Sequence, residues 1–177
     1  MSTLTLPPGH THWTQELADE LLPDDVVRRE VLDGELIVAP NAPSIHHQRL
    51  VSKVNEQLLR ARPTGWEVFT SPLDVSFPWG DVAQPDIVVC APDGTDETSL
   101  TGPPELVVEA LSPSTRRNDL VRKRRLYERH GIGVYVIADP AGAVLTVLEH
   151  DEDGRLVETQ IGTTVTLTRP FPVTLAI

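Results

Sequence analysis

The chain has 177 residues, 40% of them apolar, which suffices for one packed domain of ordinary globular composition. It carries a formal net charge of −11 and a single cysteine, so neither an internal disulfide nor a thiolate metal cluster is available. No apolar run approaches the roughly 18 residues of a membrane span, and the first residues lack a secretory signal pattern. These features predict a cytoplasmic protein without membrane contact.

Two helices are predicted in the first third of the chain. Residues 13–22 fit a short helix whose first turn Thr14 can cap, and residues 45–62 fit a longer helix with His47 on its apolar face. Residues 1–12 precede any periodic pattern and are assigned to a flexible tail. The remaining residues, 13–177, are assigned to one domain.

A hairpin and two strands are predicted around the longer helix. Asp33-Gly34 is a dipeptide favoured in two-residue turns, so residues 29–40 predict a hairpin. Residues 66–78 and 84–92 fit strands, and the second of these contains the apolar run IVVC that is typical of a central strand.

The second half of the chain alternates strands with one basic helix. Residues 105–111 predict a strand, and a helix follows from about Asn118, a suitable N-cap, to a stop at Gly131. Further strands and a hairpin are predicted at residues 134–140, 144–160 and 163–169. This order of elements implies an α/β or α+β domain with helices packed on a mixed sheet.

The basic charge is concentrated in residues 116–129. This segment holds seven basic and two acidic residues, a local balance of +5, which leaves −16 for the rest of the chain. A solvated helix face and a surface that binds a polyanion both explain this distribution. The acidic remainder disfavours tight non-specific binding to DNA at physiological salt.

Two carboxylates lie where a solvated charge is not expected. Asp86 follows Pro85 at the start of IVVC, and Glu109 lies inside the run LVVEAL. The period-2 rule places Glu109 on the same face as Val107 and Leu111, where a buried charge is costly without a partner. If the two strands are neighbours, both carboxylates converge at one sheet edge, where oxygen ligands suit Mg²⁺.

Lys123 is the third candidate, because it shares a helix face with Leu120 and Tyr127. Beside two metal-bound carboxylates, a lysine could orient or deprotonate an attacking water, or stabilise charge on a scissile phosphate. Alternatively, its stem covers the core and its ammonium reaches solvent, which is common. A further alternative makes Asp86 a strand-end cap and the pair of Glu109 and Lys123 an ion pair without function.

Several motifs together carry a resemblance to a known family. They are PD, the Glu within LVVEAL, SPSTRRNDLVRKRRLYERHGI and a Tyr-containing strand that ends in ADP, preceded by WTQELADELLPDD and REVLDGELIVAPNAPSIHHQRL. In this order and spacing they resemble the Uma-two family of restriction endonucleases, within the PD-(D/E)XK nuclease superfamily. The resemblance extends from about Trp13 to the C-terminus.

The resemblance implies a restriction-endonuclease-like fold, in which a mixed central sheet is flanked by helices and carries extra hairpins. It implies a metal site of Asp86 and Glu109 for Mg²⁺, or Mn²⁺ in its place, and it assigns the family's lysine to Lys123. Glu35, in DGEL, also matches the family pattern and is a further candidate catalytic residue. Because cutting both strands of a duplex needs two sites, a homodimer fits this activity.

The preferred interpretation is therefore a Mg²⁺-dependent endonuclease that acts on nucleic acid, with DNA as the expected substrate. The arginines of the basic segment would contact the phosphate backbone, and the candidates are Arg116, Arg117 and Arg122.

One departure from the superfamily pattern supports a different interpretation. The superfamily lysine follows the Glu by two positions, and here that position is Leu111. This departure and the net charge favour the alternative of a catalytically inactive nuclease-fold protein that serves as a binding or assembly module. His47 is expected to be a core residue, since a helical histidine on an apolar face is more often that than a ligand.

Overall fold

The computed structural model has a mixed α+β architecture, which confirms the predicted fold class. It describes residues 2–3, 6–22, 28–39, 43–95, 97, 100, 102–113 and 115–177. Within these ranges, no helix is both long and apolar enough to cross a bilayer.

The strands fall in two groups, one before and one after the longest helix. The first group is β1 (Ser2–Thr3), β2 (Arg28–Leu32) and β3 (Glu35–Ala39). The second group is β4 (Glu67–Thr70), β5 (Val75–Ser76), β6 (Val82–Ala83), β7 (Ile87–Cys90), β8 (Leu106–Ala110), β9 (Val134–Asp139), β10 (Val144–His150), β11 (Leu156–Gly162), β12 (Thr164–Leu167) and β13 (Val173–Ala176).

The described residues form five helical elements. They are α1 (Gln15–Leu21), α2 (Ile45–Ala61), a 3₁₀ turn (Pro78–Gly80), a π-helical segment (Asn118–Lys123) and α3 (Arg124–Arg129), which continues the π-helical segment directly.

The main sheet has the strand order β11-β10-β9-β8-β7-β4. Only the central pair, β8 and β9, is parallel within this sheet; its other neighbours are antiparallel. The π-helical segment and α3 form the crossover that a parallel pair requires. A smaller sheet has the order β1-β3-β2-β6-β5, and β12 pairs with β13.

Side chains alternate between two hydrophobic cores on the two faces of the main sheet. Leu106 and Val108 of β8 join the core beneath α2, whereas Val107 joins the core beneath α3. Glu109 has the parity of Val107, so it points toward α3 and not toward solvent. The sheet therefore sets the side on which the acidic groups meet.

Local sequence signals account for several boundaries. Thr14 caps α1 by accepting a hydrogen bond from Leu17 N at 3.3 Å, as predicted. Asp33 and Gly34 form the predicted hairpin turn with φ values of 54° and 71°, which an Asp-Gly pair tolerates. Gly131, with φ of 70°, follows the end of α3 and confirms the predicted stop.

Three expectations differ from the structure. Strand β7 is next to the edge strand β4 and is not central; it is apolar because both of its faces are covered by the two cores. Asn118 is not an N-cap but a buried residue in the first turn of the π-helical segment. Within the predicted tail of residues 1–12, Ser2–Thr3 pairs with β3 as an edge strand.

Candidate active site

Asp86 and Glu109 face each other across two neighbouring strands. The antiparallel register pairs Ile87 with Val108, and its extension by one residue sets Asp86 opposite Glu109. Side chains at opposed positions share one face of a sheet. The two strands are further joined because Ala110 N donates to Asp86 Oδ2 at 2.8 Å. The register therefore sets both side chains on one face of the sheet, where the two neighbouring strands begin and end.

Glu109 is compensated by two donors. Its Oε1 accepts hydrogen bonds from Lys123 Nζ at 2.8 Å and from Tyr127 Oη at 2.7 Å. With only 1% of the residue exposed, the carboxylate would be destabilising without them. Both donors come from the helical crossover between β8 and β9, so the same connection that completes the fold supplies the partners of Glu109.

Lys123 points inward and lies among three carboxylates. Its Nζ is 2.8 Å from Glu109 Oε1, 2.9 Å from Glu30 Oε1 and 3.5 Å from Asp119 Oδ1. Only 2% of its side chain is exposed, so its ammonium does not reach solvent. The alternative in which the stem covers the core and the ammonium is solvated is wrong.

Glu30 is a member of the cluster that the sequence did not single out. It lies on β2, is buried, and its Oε1 also accepts a hydrogen bond from Gln84 N at 2.8 Å. Its period-2 face is shared with Leu32, which is fully buried, and that parity is the sequence signal that could have identified it.

Glu35, the hairpin glutamate chosen from the sequence, lies outside the cluster. Its side chain is 54% exposed and pairs with Arg122 Nη1 at 2.6 Å. The position of Glu35 beside the turn, at the end of the hairpin, explains its exposure.

Arg28 and His47 complete the cluster on the side of Asp86. Arg28 Nη1 lies 3.5 Å from Asp86 Oδ1, and Arg28 also donates to the carbonyl of Gln84. His47 Nε2 lies 3.2 Å from Asp86 Oδ2. His47 is thus buried, as expected, but it binds a candidate site residue and is not solely a core side chain.

The cluster carries more acid than base. Its four buried carboxylates, Glu30, Asp86, Glu109 and Asp119, face two permanent cations, Arg28 and Lys123. If all six groups are ionised, two negative charges remain uncompensated. An excess of this kind favours uptake of a proton or of a cation.

The pKa values reflect this imbalance. Burial raises the pKa of Glu109 to about 8, against the opposing charge of Lys123 and with the help of the neighbouring acids. Burial alone would lower the pKa of Lys123, but Glu109, Glu30 and Asp119 outweigh it and raise this pKa. Lys123 therefore stays cationic, whereas burial makes Glu109 harder to ionise.

Asp86 behaves in the opposite way to Glu109. Burial would raise its pKa, but the hydrogen bond and charge of His47, together with Arg28 and Lys123, lower it. Asp86 is therefore more readily ionised than an ordinary aspartate, because these donors balance its charge.

The π-helical segment places two residues of the cluster. Asp119 and Lys123 are both buried on it, at a spacing of four, and Tyr135 Oη donates to the Asp119 carbonyl at 2.8 Å. The carboxylate atom Asp119 Oδ1 is buried without a hydrogen-bond partner among the described residues. π-Helical turns are rare and occur often at functional sites.

The predicted nucleic-acid contacts lie on the exposed side of the same helical crossover. Arg116 pairs with Asp139 at 2.8 Å, and Arg122 pairs with Glu35. Arg117 and Arg125 are exposed and form no ion pair within the described part of the chain. The cationic surface that remains for a polyanion is therefore smaller than the sequence count suggests.

The donor set suits a hard divalent cation in chemistry. Mg²⁺ and Mn²⁺ prefer oxygen ligands, and the cluster offers carboxylates with excess negative charge. Among them is Asp119 Oδ1, which lies 3.5 Å from Lys123 Nζ but accepts no hydrogen bond from the described residues. Among the residues the structure describes, however, no three acidic, imidazole or thiol groups are arranged as a ready metal site. Lys123 instead occupies the space between Glu109 and Glu30, where it provides the positive charge.

One comparison with known proteins shows the family of the chain, and another shows its fold. Residues 15–177 match the Uma2 family, whose description is "Putative restriction endonuclease". The chain is also similar to a crystal structure titled as a "putative nuclease belonging to DUF820" from Anabaena variabilis, with a TM-score of 0.63 and 19% identity. That match covers 85% of this chain and 86% of the other, and at this identity it shows a shared fold. No curated protein matches the chain.

Proposed function

Because this chain belongs to the Uma2 family, we propose that it is a metal-dependent endonuclease that hydrolyses phosphodiester bonds of nucleic acid. We propose DNA as the substrate and Mg²⁺ as the cofactor, with Mn²⁺ able to replace it. The observation that supports this proposal is the strand register that sets Asp86 opposite Glu109, whose Oε1 lies 2.8 Å from Lys123 Nζ.

Three residues of the cluster act directly in this proposal. Asp86 and Glu109 would hold the cation, since both present carboxylate oxygens on one face of the sheet. A bound Mg²⁺ would polarise the phosphoryl oxygens and lower the pKa of a coordinated water. Lys123 would orient the attacking water or donate to the oxygen on which negative charge develops.

The surrounding groups hold these residues in position. Tyr127 donates a hydrogen bond to one oxygen of Glu109, and Glu30 Oε1 lies 2.9 Å from Lys123 Nζ. Glu35 has no place in this arrangement, because it is exposed and engaged with Arg122. The exposed Arg117 and Arg125 are the proposed contacts to the phosphate backbone.

The second candidate is a catalytically inactive protein that uses the nuclease fold for binding or assembly. The specific observation in its favour is that Lys123 is sealed by three carboxylates, with 2% of its side chain exposed. A buried site whose negative charges are balanced by its own lysine can be stable without a bound metal ion.

Cleavage of supercoiled plasmid with and without Mg²⁺ distinguishes the two candidates. The enzyme predicts nicked or linear product that requires the ion and that is lost in Asp86→Asn and in Glu109→Gln. Glu149→Gln is the matched control, because Glu149 is a carboxylate of the same sheet that pairs with Arg169 and Thr159 near the surface, away from the cluster. Absence of cleavage by the wild type with either Mg²⁺ or Mn²⁺ supports the inactive module.

A further inference from the structure

His47 is placed beside Asp86 by the packing of α2. The buried residues of this helix are His47, Leu50, Val54 and Leu58, and they follow one helical face. Ser44 begins the helix by accepting a hydrogen bond from His47 N at 3.2 Å. The apolar face fixes the rotation of α2 against the sheet, so the first buried side chain of the helix reaches the start of β7.

The contact of His47 is with one oxygen of Asp86. His47 Nε2 lies 3.2 Å from Asp86 Oδ2, and the same oxygen accepts a hydrogen bond from Ala110 N at 2.8 Å. The other oxygen, Oδ1, lies 3.5 Å from Arg28 Nη1. Two donors from different elements, α2 and β8, thus hold Oδ2 and fix the orientation of the carboxylate, while Oδ1 remains on the side of Arg28.

The environment of the imidazole selects one tautomer. Nε2 must donate, since its partner is a carboxylate that accepts. Nδ1 is buried and has no hydrogen-bond partner among the described residues, so a proton there would leave a buried N–H without an acceptor. These contacts place a proton on Nε2.

Packing of α2 against the sheet does not by itself require a histidine at position 47. The next buried positions of the helix are leucine and valine, and they contact the same core. A leucine at position 47 could fill the space but could not donate to Asp86. The hydrogen bond is therefore what a histidine adds at this position.

We propose that His47 is a positioning residue that holds Asp86 by Oδ2 and thereby fixes the orientation of Oδ1, which would bind the cation in place of its 3.5 Å contact with Arg28 Nη1. This inference rests on the proposed function, which makes Asp86 a ligand. Residues that hydrogen-bond to a ligand restrict its orientation, and their loss weakens metal binding even though they do not touch the ion.

Titration of Mn²⁺ into the purified full chain by calorimetry tests this proposal. His47→Leu should weaken Mn²⁺ binding by about 10- to 100-fold, the range found when such a second partner is lost. His47→Gln, whose amide N–H can replace the Nε2 donor, should restore most of the affinity. The matched control is His46→Leu, because His46 is the exposed neighbour on the same turn and should leave the affinity unchanged.

Two results would overturn the proposal. One is a folded His47→Leu variant that binds Mn²⁺ as tightly as the wild type, and the other is a His47→Gln variant as weak as His47→Leu. If His47→Leu does not fold, long-range ¹H–¹⁵N spectra of the wild type decide: a proton on Nε2 supports the proposal, and a ring protonated on Nδ1 alone contradicts it.

Failure of the proposed function gives a different pattern. If the wild type binds Mn²⁺ and His47→Leu binds it weakly, but neither cleaves nucleic acid, His47 positions Asp86 in a protein that is not a nuclease. If the wild type cleaves in an ion-dependent manner and His47→Leu retains the wild-type affinity for Mn²⁺, the nuclease assignment is supported and the positioning role of His47 is contradicted. A wild type that binds no Mn²⁺ overturns the inference and the metal dependence together.

Discussion

Lys123 Nζ lies 2.8 Å from Glu109 Oε1, and only 2% of either side chain is exposed. The pair joins the crossover helix to the central strand β8 inside the protein. Removal of one member of a buried ion pair leaves the other charge uncompensated, which costs more than the pair contributes. The site is therefore also a determinant of stability, and its variants must be judged by folding as well as by activity.

Lys123→Met should lower the free energy of unfolding by about 3–5 kcal/mol, because three carboxylates lose their shared cation. Urea unfolding followed by circular dichroism measures the change. The double variant Lys123→Met with Glu109→Gln should recover part of the loss, since one of the uncompensated charges is then gone. Equal losses in the single and double variants would contradict a direct coupling of the two residues.

Tyr127→Phe should lower stability by about 1–3 kcal/mol, because it removes the 2.7 Å hydrogen bond to Glu109 and leaves the ring packing intact. Thermal unfolding at neutral pH measures this effect. A variant with unchanged stability would show that the carboxylate of Glu109 does not depend on the hydroxyl.

Stability should fall as the pH rises from about 5 to 8. Burial raises the pKa of Glu109 from the ordinary 4.5 to about 8, so between these values the folded chain binds a proton that the unfolded chain has lost. Unfolding then releases a proton, and a higher pH favours it. Asp86 contributes in the opposite direction, because its pKa is lowered, and its effect is lost only as the pH falls below its ordinary value of 3.8.

The contribution of Glu109 can be isolated with Glu109→Gln. Urea unfolding at several pH values should give a flatter dependence between pH 5 and 8 for this variant than for the wild type. An identical slope in both proteins would mean that Glu109 titrates near its ordinary value when folded.

Glu30→Ala should cost more stability than Glu35→Ala. Glu30 pairs with Lys123 and accepts a hydrogen bond from Gln84 N. Loss of both interactions should lower the free energy of unfolding by about 1–3 kcal/mol. Glu35 forms an exposed ion pair with Arg122, worth less than about 1 kcal/mol. Chemical unfolding of both variants measures the difference, and the reverse order would contradict the assignment of Glu30 to the cluster.

The sequence predicted the parts of the site that depend on local periodicity. The alternation around Glu109 and the helical spacing of Leu120, Lys123 and Tyr127 both indicated inward-facing groups, and the structure joins them. The hairpin turn at Asp33-Gly34 followed equally from local backbone preferences. Periodicity was sufficient here because each signal resides within a single element.

Other parts of the site depend on contacts between distant elements. Glu30 reaches Lys123 because the small sheet packs against the crossover helix. In the sequence, the only local sign that Glu30 rather than Glu35 is buried is that Glu30 shares a strand face with the buried Leu32. The π-helical turn that buries Asp119 likewise has no simple sequence signature. The bond between His47 and Asp86 joins residues 39 positions apart, through the docking of α2 on the sheet.

Diffraction from crystals grown with Mn²⁺, measured at the manganese absorption edge, tests the central claim most directly. The proposed metal-dependent nuclease predicts an anomalous peak coordinated by carboxylate oxygens of Asp86 and Glu109, with Lys123 Nζ displaced from its 2.8 Å contact. A map without a peak at these residues, in which Lys123 still binds Glu109 and Glu30, would contradict it and favour the inactive module.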